Sequence, residues 1–342
     1  MFATLTLSTL LATAPIETDC LFVLTHAGET NELLPVIEEM QRQNRDYRVI
    51  ALNVAADLVK GKVPLERLVD KPIKAKKVIT GVHSEEHKYY LELYRDQAET
   101  FAYWDNPEPR GAVAYFTHAL KVQAIAKKVL FPSGFVASAR EFQDRPASEK
   151  IVVGKPTLLK FLNDLKRYSN ADASTILFVG TYGDGYEKAL GLFVNSIKTL
   201  PGNKPKVVFQ RHPMAKSNIE EKCAEAIGGS VSKIPLLEAI AQAKVVVTYN
   251  SSAGFQALVG GKPVVYVVPE GDSYSNSLIE DRCVAKAANL EKVLEALAQA
   301  KASFSPEELL ASMQVPLDPV ERFFIALYPN EDHNRRPLIT QN

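Results

Sequence analysis

The chain has 342 residues, and its apolar (46%) and charged (23%) residues are in the proportion usual for a globular protein. Its 40 basic and 40 acidic side chains balance to a formal charge of zero, which argues against nucleic acid as a partner. At roughly 100–200 residues per domain, the length favours two domains, with one large α/β domain as the alternative.

Residues 1–16 are interpreted as an N-terminal extension or a signal-like segment. They are apolar and rich in Thr, and Ala12-Thr13-Ala14 has the form of a cleavage site, but no Lys or Arg precedes it. We predict a cytoplasmic protein, with export as the alternative if the segment is a signal peptide. No run of about 18 uninterrupted apolar residues occurs, so no transmembrane segment is expected. The three cysteines are far apart and predict free thiols, without a disulfide framework or a metal site.

Short apolar runs alternate with amphipathic stretches along residues 17–155. Strands are predicted at 20–25, 47–52, 77–80, 100–104 and 128–131, and helices after Thr30 and over 112–126. Repeated strand–helix–strand order is typical of parallel β-α-β units. The pattern predicts an N-terminal Rossmann-like domain.

Residues 173–342 repeat this scheme after a linker region at 156–172, which begins with a polar helix. Strands are predicted at 175–179, 206–210, 244–248 and 263–268, with helices between and after them. The predicted fold class is therefore α/β, with two doubly wound Rossmann-like domains facing a central cleft. In open parallel sheets, ligands bind outside the carboxyl ends of the strands, so the strand-to-helix loops are where chemistry is expected.

The loop at 248–254 (TYNSSAG) is the strongest candidate site. Its residues Asn250, Ser251, Ser252 and Gly254 combine polar side chains, a glycine and the free N–H groups of a helix start, which together suit a phosphate. Either serine could instead be a simple N-cap. We predict phosphate or pyrophosphate binding here.

Two further loops of the same domain carry candidate ligand-binding residues. Arg211 and His212, before Pro213, can both donate to a phosphate, although a strand-ending turn explains them equally simply. The loop at 180–185 (GTYGDG) includes Gly180, Thr181 and Gly183, and its glycines would let backbone approach a ligand.

The N-terminal domain offers three candidate acid–base residues at strand ends. His26 and Glu29 follow the first strand, where either suits a general base facing the cleft. Alternatively, Thr30 caps the helix and Glu29 lies near the positive end of its dipole. Asp105 follows a later strand as a second acid or as a turn former.

These loops together resemble the GT-B glycosyltransferases and the related non-hydrolysing sugar-nucleotide 2-epimerases. Residues 245–263 (VVVTYNSSAGFQALVGGKP) are similar to their nucleotide-diphosphate loop and following strand. The Arg-His-Pro at 211–213 is similar to the phosphate-contacting His-Pro of the epimerases and of polyol-phosphate transferases. The sequence THAGE at 25–29 is similar to the first loop of GT-B acceptor domains, which often carries the catalytic base.

The resemblance implies transfer of a sugar or polyol-phosphate group from a nucleotide-activated donor to a surface-carbohydrate-type acceptor. Acidic residues follow the loop glutamine in the epimerases, whereas Ala257 and Leu258 follow Gln256 here, and their Arg-Pro-Glu opening loop is absent. No Glu lies between 250 and 269, where many retaining GT-B enzymes carry two. We therefore expect an inverting, metal-independent transfer without a cofactor.

Two other interpretations stay open. The pattern H-x-x-E-H at 83–87 matches an inverted zinc-protease motif, although a solvated helix start explains it as simply. A two-domain ligand-binding protein, or a catalytically degenerate GT-B-like protein, is the alternative if the chain is exported.

Overall fold

The computed structural model describes residues 14–66, 72–106, 113–138, 148–168, 175–181, 185–212, 215, 217–249, 251–271, 284–300 and 305–331. Two predicted site residues, Gly183 and Asn250, lie outside these ranges, as does most of the N-terminal segment. None of the helices in these ranges is long and apolar enough to cross a membrane.

The N-terminal half is a parallel sheet with the strand order β2-β1-β3-β4-β5-β6. Its strands are β1 (Ile16–Leu24), β2 (Tyr47–Ala51), β3 (Ile73–Thr80), β4 (Glu99–Tyr103), β5 (Lys128–Phe131) and β6 (Glu149–Val152). The helices of this half are α1 (Ala27–Arg42), α2 (Val54–Val59), α3 (Glu85–Tyr94), α4 (Val113–Gln123) and α5 (Gly134–Ala137). The continuous apolar run of β1 is buried on both faces, as expected for an inner strand covered by helices.

The C-terminal half is a second parallel sheet with the order β12-β11-β10-β7-β8-β9. Its strands are β7 (Thr175–Val179), β8 (Val207–Gln210), β9 (Ser230–Val231), β10 (Ala243–Thr248), β11 (Val264–Val267) and β12 (Val284–Ala287). Its helices are α7 (Tyr186–Thr199), α8 (Ile219–Ile227), α9 (Leu236–Gln242), α10 (Ala253–Val259), α11 (Leu290–Gln299) and α12 (Pro306–Ser312). Each half has a strand order that reverses, so the predicted pair of doubly wound Rossmann-like domains is confirmed.

Two helices modify the simple division of the chain. The predicted linker region contains α6 (Leu158–Arg167), whose Leu158 and Leu165 pack in the core of the C-terminal half. The last described helix, α13 (Pro319–Leu327), belongs to the sequence range assigned to the C-terminal domain. It packs instead in the N-terminal core, where Phe323 lies against Tyr103 with ring centroids 5.1 Å apart. The chain therefore crosses between the halves twice.

Candidate active site

The carboxyl ends of β1, β3 and β4 are neighbours in the N-terminal sheet, and polar side chains follow each of them. Thr25 and His26 follow β1, His83 and Ser84 follow β3, and Asp105 follows β4. Because parallel strands end at one edge of the sheet, these residues meet there although up to 80 residues separate them in the sequence.

Glu29 lies under this edge rather than in solvent. Its side chain is completely buried, and its Oε1 accepts from the backbone N–H groups of Thr25 (2.9 Å) and His26 (2.5 Å). The placement differs from the expected base facing the cleft. It matches the alternative that puts Glu29 at the start of α1, where its carboxylate accepts from N–H groups just before the helix. The expected cap at Thr30 is wrong, because His26 is the cap residue and Thr30 lies within the helix. His26 itself is exposed at the start of α1.

His87 continues the buried cluster from helix α3. Its Nε2 lies 3.0 Å from Thr25 Oγ1 and 3.3 Å from Glu29 Oε1. Burial lowers the pKa of His87 although Glu29 opposes the shift, so the ring is neutral near neutral pH. Burial alone would raise the pKa of Glu29, but its hydrogen bonds with His87 and with the His26 N–H hold it below its ordinary value. The pair is thus an anion beside a neutral imidazole.

Asp105 is the acidic residue of this edge that reaches the cleft. Its Oδ1 lies 2.8 Å from His83 Nε2, with 16% of the Asp105 side chain and 4% of the His83 side chain exposed. Its Oδ2 lies against Gly28 so closely that a methyl group there would overlap it. The Lys155 ammonium donates to the Asp105 carbonyl at 2.9 Å and pairs with Glu32 at 2.7 Å. Both the side chain and the backbone of Asp105 are therefore held in place.

A cleft of about 590 Å³ runs between the two halves. The N-terminal half lines it with Asp105 and Gly28 among others, the C-terminal half with Ser252 and Gln256, and helix α6 with Phe161. Of the residues predicted for each domain, Asp105 and Ser252 thus line one cavity.

The serine loop is held mainly by bonds between its side chains and backbone groups. Thr248 Oγ1 donates to the Val179 carbonyl at 3.1 Å, and Ser251 Oγ accepts from the Ala253 N–H at 3.3 Å. Ser252 is exposed, makes no side-chain cap bond to α10 and faces the cleft. Gly254 is buried against the Tyr266 hydroxyl, where a methyl group would collide. The glycine is therefore explained by packing, and the exposed Ser252 is the side chain of this loop that a ligand can reach.

The other two predicted loops end at the same edge of the C-terminal sheet. The Gly180 N–H donates to the Gln210 carbonyl at 2.8 Å, which ties the ends of β7 and β8 together, and Thr181 is buried beside it. Arg211 lies 3.1 Å from Glu221 and donates to the Ser217 carbonyl at 2.7 Å, so its charge is already paired. His212 is half-buried at the end of β8. Of these loops, the structure brings only the serine loop to the cleft wall.

No protein-family model matches the sequence, and no curated protein matches it. Similar solved structures share the fold at low identity. A UDP-GlcNAc 2-epimerase from Neisseria meningitidis bound to UDP-GlcNAc is 12% identical, with a TM-score of 0.60 over 91% of this chain and 100% of that one. The S. aureus MnaA–UDP structure is 12% identical, with a TM-score of 0.62 over 92% and 99%. A wall teichoic acid polymerase, TagF, with CDPG is 13% identical, with a TM-score of 0.53 over 90% and 84%.

The chain has a GT-B-like fold. This confirms the predicted resemblance at the level of architecture, which is all that identities of this size show. A glycosyltransferase from Rickettsia africae gives the same result, with 10% identity and a TM-score of 0.59 over 93% of this chain.

The sequence analysis did not predict that His83 and His87 contact the acidic residues Asp105 and Glu29. It interpreted them as zinc ligands or as part of a solvated helix start, whereas they bond to different carboxylates, Asp105 and Glu29. In the described part of the chain, no three His, Cys, Asp or Glu side chains are grouped to hold a metal ion. Their position after an apolar strand indicated that they lie at the edge of the sheet. Which strands lie beside that strand could not be predicted from the sequence.

Proposed function

We propose that this protein transfers a sugar or polyol-phosphate group from a nucleotide-activated donor to a carbohydrate-type acceptor. One observation carries the proposal: a single cleft is lined by a held carboxylate of one half, Asp105, and by an exposed hydroxyl of the other, Ser252. The carboxylate can activate the acceptor, and the hydroxyl can bind the departing phosphate group.

The donor diphosphate would bind at the carboxyl edge of the C-terminal sheet. Ser251 and Ser252 supply hydroxyl groups there, and His212 supplies a ring N–H from the end of a nearby strand. Structures with this fold that hold UDP-GlcNAc, UDP or CDPG support a nucleotide ligand.

The reaction is written as a single displacement. An acceptor hydroxyl gives its proton to the Asp105 carboxylate, and its oxygen forms a bond to the transferred group. For a sugar, the bond from its anomeric carbon to the nucleoside diphosphate breaks, and the electron pair leaves with the diphosphate oxygen. For a polyol-phosphate, the P–O bond to the nucleoside monophosphate breaks, and the electron pair leaves with the monophosphate oxygen. Ser252 stabilises the charge that develops on the leaving oxygen, because a preorganised donor aimed at developing charge acts strongly. We propose inversion, with no metal ion or cofactor in the step, in the cytoplasm, where nucleotide-activated donors are made.

A thermal-shift screen with UDP, CDP, GDP and their activated sugars or polyols tests donor binding. A nucleotide that raises the Tm of the wild type should raise it less in His212→Ala, Ser251→Ala and Ser252→Ala. Ser312→Ala, whose hydroxyl donates to the Leu309 carbonyl of its own helix, is the matched control. Equal shifts in all variants would remove these loops from the site.

The same nucleotide, incubated alone and with an oligosaccharide acceptor, separates the possible activities. Acceptor-dependent release of free nucleotide supports transfer. Epimerisation of a UDP-sugar without any acceptor, followed by ¹H NMR, would replace the proposal with the epimerase alternative. Tight binding with no turnover across an acceptor panel would favour the ligand-binding alternative.

A further inference from the structure

The histidines of the H-x-x-E-H pattern form a continuous chain of contacts that ends at Asp105. His87 Nε2 contacts Thr25 Oγ1 at 3.0 Å, and His87 Nδ1 accepts from the backbone N–H of His83 at 3.2 Å. The His83 ring then reaches Asp105 Oδ1 at 2.8 Å. This series of contacts therefore connects the end of β1, the start of α3 and the end of β4.

The acceptor role of His87 Nδ1 fixes where the proton of its ring lies. A nitrogen that accepts a backbone N–H carries no proton, so the neutral ring is protonated at Nε2 and donates toward Thr25 and Glu29. Ser84 strengthens the turn, because its Oγ accepts from the His87 N–H at 3.1 Å. These bonds hold the backbone that carries His83, and its ring packs edge-on against Trp104 with centroids 5.4 Å apart.

We propose that His83 is a positioning residue for Asp105 and that His87 positions His83. This inference rests on the proposed function, since it names the residues that prepare the acceptor-activating carboxylate of that site. His83 contacts Oδ1, and Oδ2 lies beside Gly28, a residue of the cleft wall. Lys155 fixes the backbone of the same aspartate. A carboxylate held in this way meets the acceptor in a single orientation.

The arrangement also argues against the alternative zinc site, in which both histidines would bind the metal. His83 Nε2 points to Asp105, and both nitrogens of His87 already have partners in the cluster. Two histidines that bind one metal ion need a free nitrogen each, aimed at a common point. The pattern serves here as a support for an acid–base residue.

The experiment compares His83→Gln, His83→Leu and the control His118→Asn. Gln keeps a donor at the distance of Nε2, whereas Leu fills similar space without one. His118 is a partly exposed histidine beside Glu85, away from Asp105. With the donor found by thermal shift, His83→Leu should lower kcat about 100-fold and leave the donor KM within about two-fold. His83→Gln should recover most of the loss, and His118→Asn should match the wild type.

Equal losses in the Leu and Gln variants, or a change in KM without one in kcat, would overturn the proposal. So would stoichiometric zinc in the purified protein. A second measurement decides the contact without turnover: ¹⁵N–¹H spectra of the histidine rings in wild type and Asp105→Asn. The Asn variant should move the His83 ring nitrogens and leave those of His118 unchanged. Unmoved His83 signals overturn the positioning, whereas moved signals in a protein without transfer activity count against the proposed function alone.

Discussion

At the carboxyl edge of the N-terminal sheet, side chains from three neighbouring strands bond to one another. At the same edge of the C-terminal sheet, the described loop side chains bond mainly to backbone. Thr25, His87 and Glu29 lie in one buried cluster on the first edge. On the second edge, Thr248 donates to a backbone carbonyl, and Ser252 is exposed.

The difference between the two edges matches the difference between acid–base catalysis and phosphate binding. An acid–base group must have its orientation before the acceptor arrives, because misplacement by about 1 Å can cost 100-fold in rate. A phosphate-binding loop needs accessible donors that the ligand itself completes. The N-terminal edge is built for the first requirement and the C-terminal edge for the second, so variants of the two edges should fail in different ways.

The largest effect is expected from Asp105→Asn. The amide cannot take the acceptor proton, so kcat should fall by at least about 100-fold, within the range found for general bases. Donor binding should stay unchanged, because the C-terminal loops are untouched. Steady-state kinetics and thermal shift with the same nucleotide measure the two quantities. Asp57→Asn, an exposed aspartate of helix α2, is the control. A drop in donor affinity with normal kcat would reverse the roles of the two edges.

Glu29→Gln should act on stability. The buried carboxylate accepts from two backbone N–H groups and from the Thr25 hydroxyl, and hydrogen bonds to a charged group contribute about 1.5–3 kcal/mol. We expect a loss of about 2 kcal/mol in the free energy of unfolding, measured by urea denaturation. Glu38→Gln, on the exposed face of the same helix, should change it little. A stable Glu29→Gln protein without transfer activity would restore Glu29 as the base.

The residues changed in these two variants also differ in how far the sequence predicted their surroundings. The apolar runs predicted most of the strands, and the helix-start interpretation of Glu29 needed only its place just before an amphipathic stretch. The link from His83 to Asp105 could not be predicted, because it depends on β3 lying beside β4 in the sheet. The return of α13 to the N-terminal core is likewise a long-range packing event that no local pattern encodes.

Gly254→Ala tests whether the serine loop glycine serves packing. The added methyl group meets the Tyr266 hydroxyl in a buried helix, and overpacking of this kind costs about 1–3 kcal/mol. Tyr266→Phe removes the hydroxyl but leaves the ring carbon Cζ 2.7 Å from the added methyl group, so the double variant should recover only part of the lost stability in thermal unfolding. Gly191→Ala is the matched control, because nothing lies within 4 Å of its position in helix α7. It should be neutral or stabilising by up to about 1 kcal/mol. Normal stability with lost nucleotide binding in Gly254→Ala would assign the glycine to the ligand.

The smallest effect is a dependence of stability on pH that arises at the N-terminal edge. Burial, opposed by Glu29, lowers the folded-state pKa of His87 below 6.5, so the unfolded chain binds more protons below that pH. Stability should therefore fall as the pH drops from about 7.5 to about 5.5, while Glu29 loses its contribution only below its ordinary 4.5. His87→Gln should flatten the slope of Tm against pH, and His118→Gln should not. The prediction depends on His87 because it is buried and takes up a proton more readily in the unfolded chain. An unchanged slope in His87→Gln would therefore show that other groups cause the dependence of stability on pH.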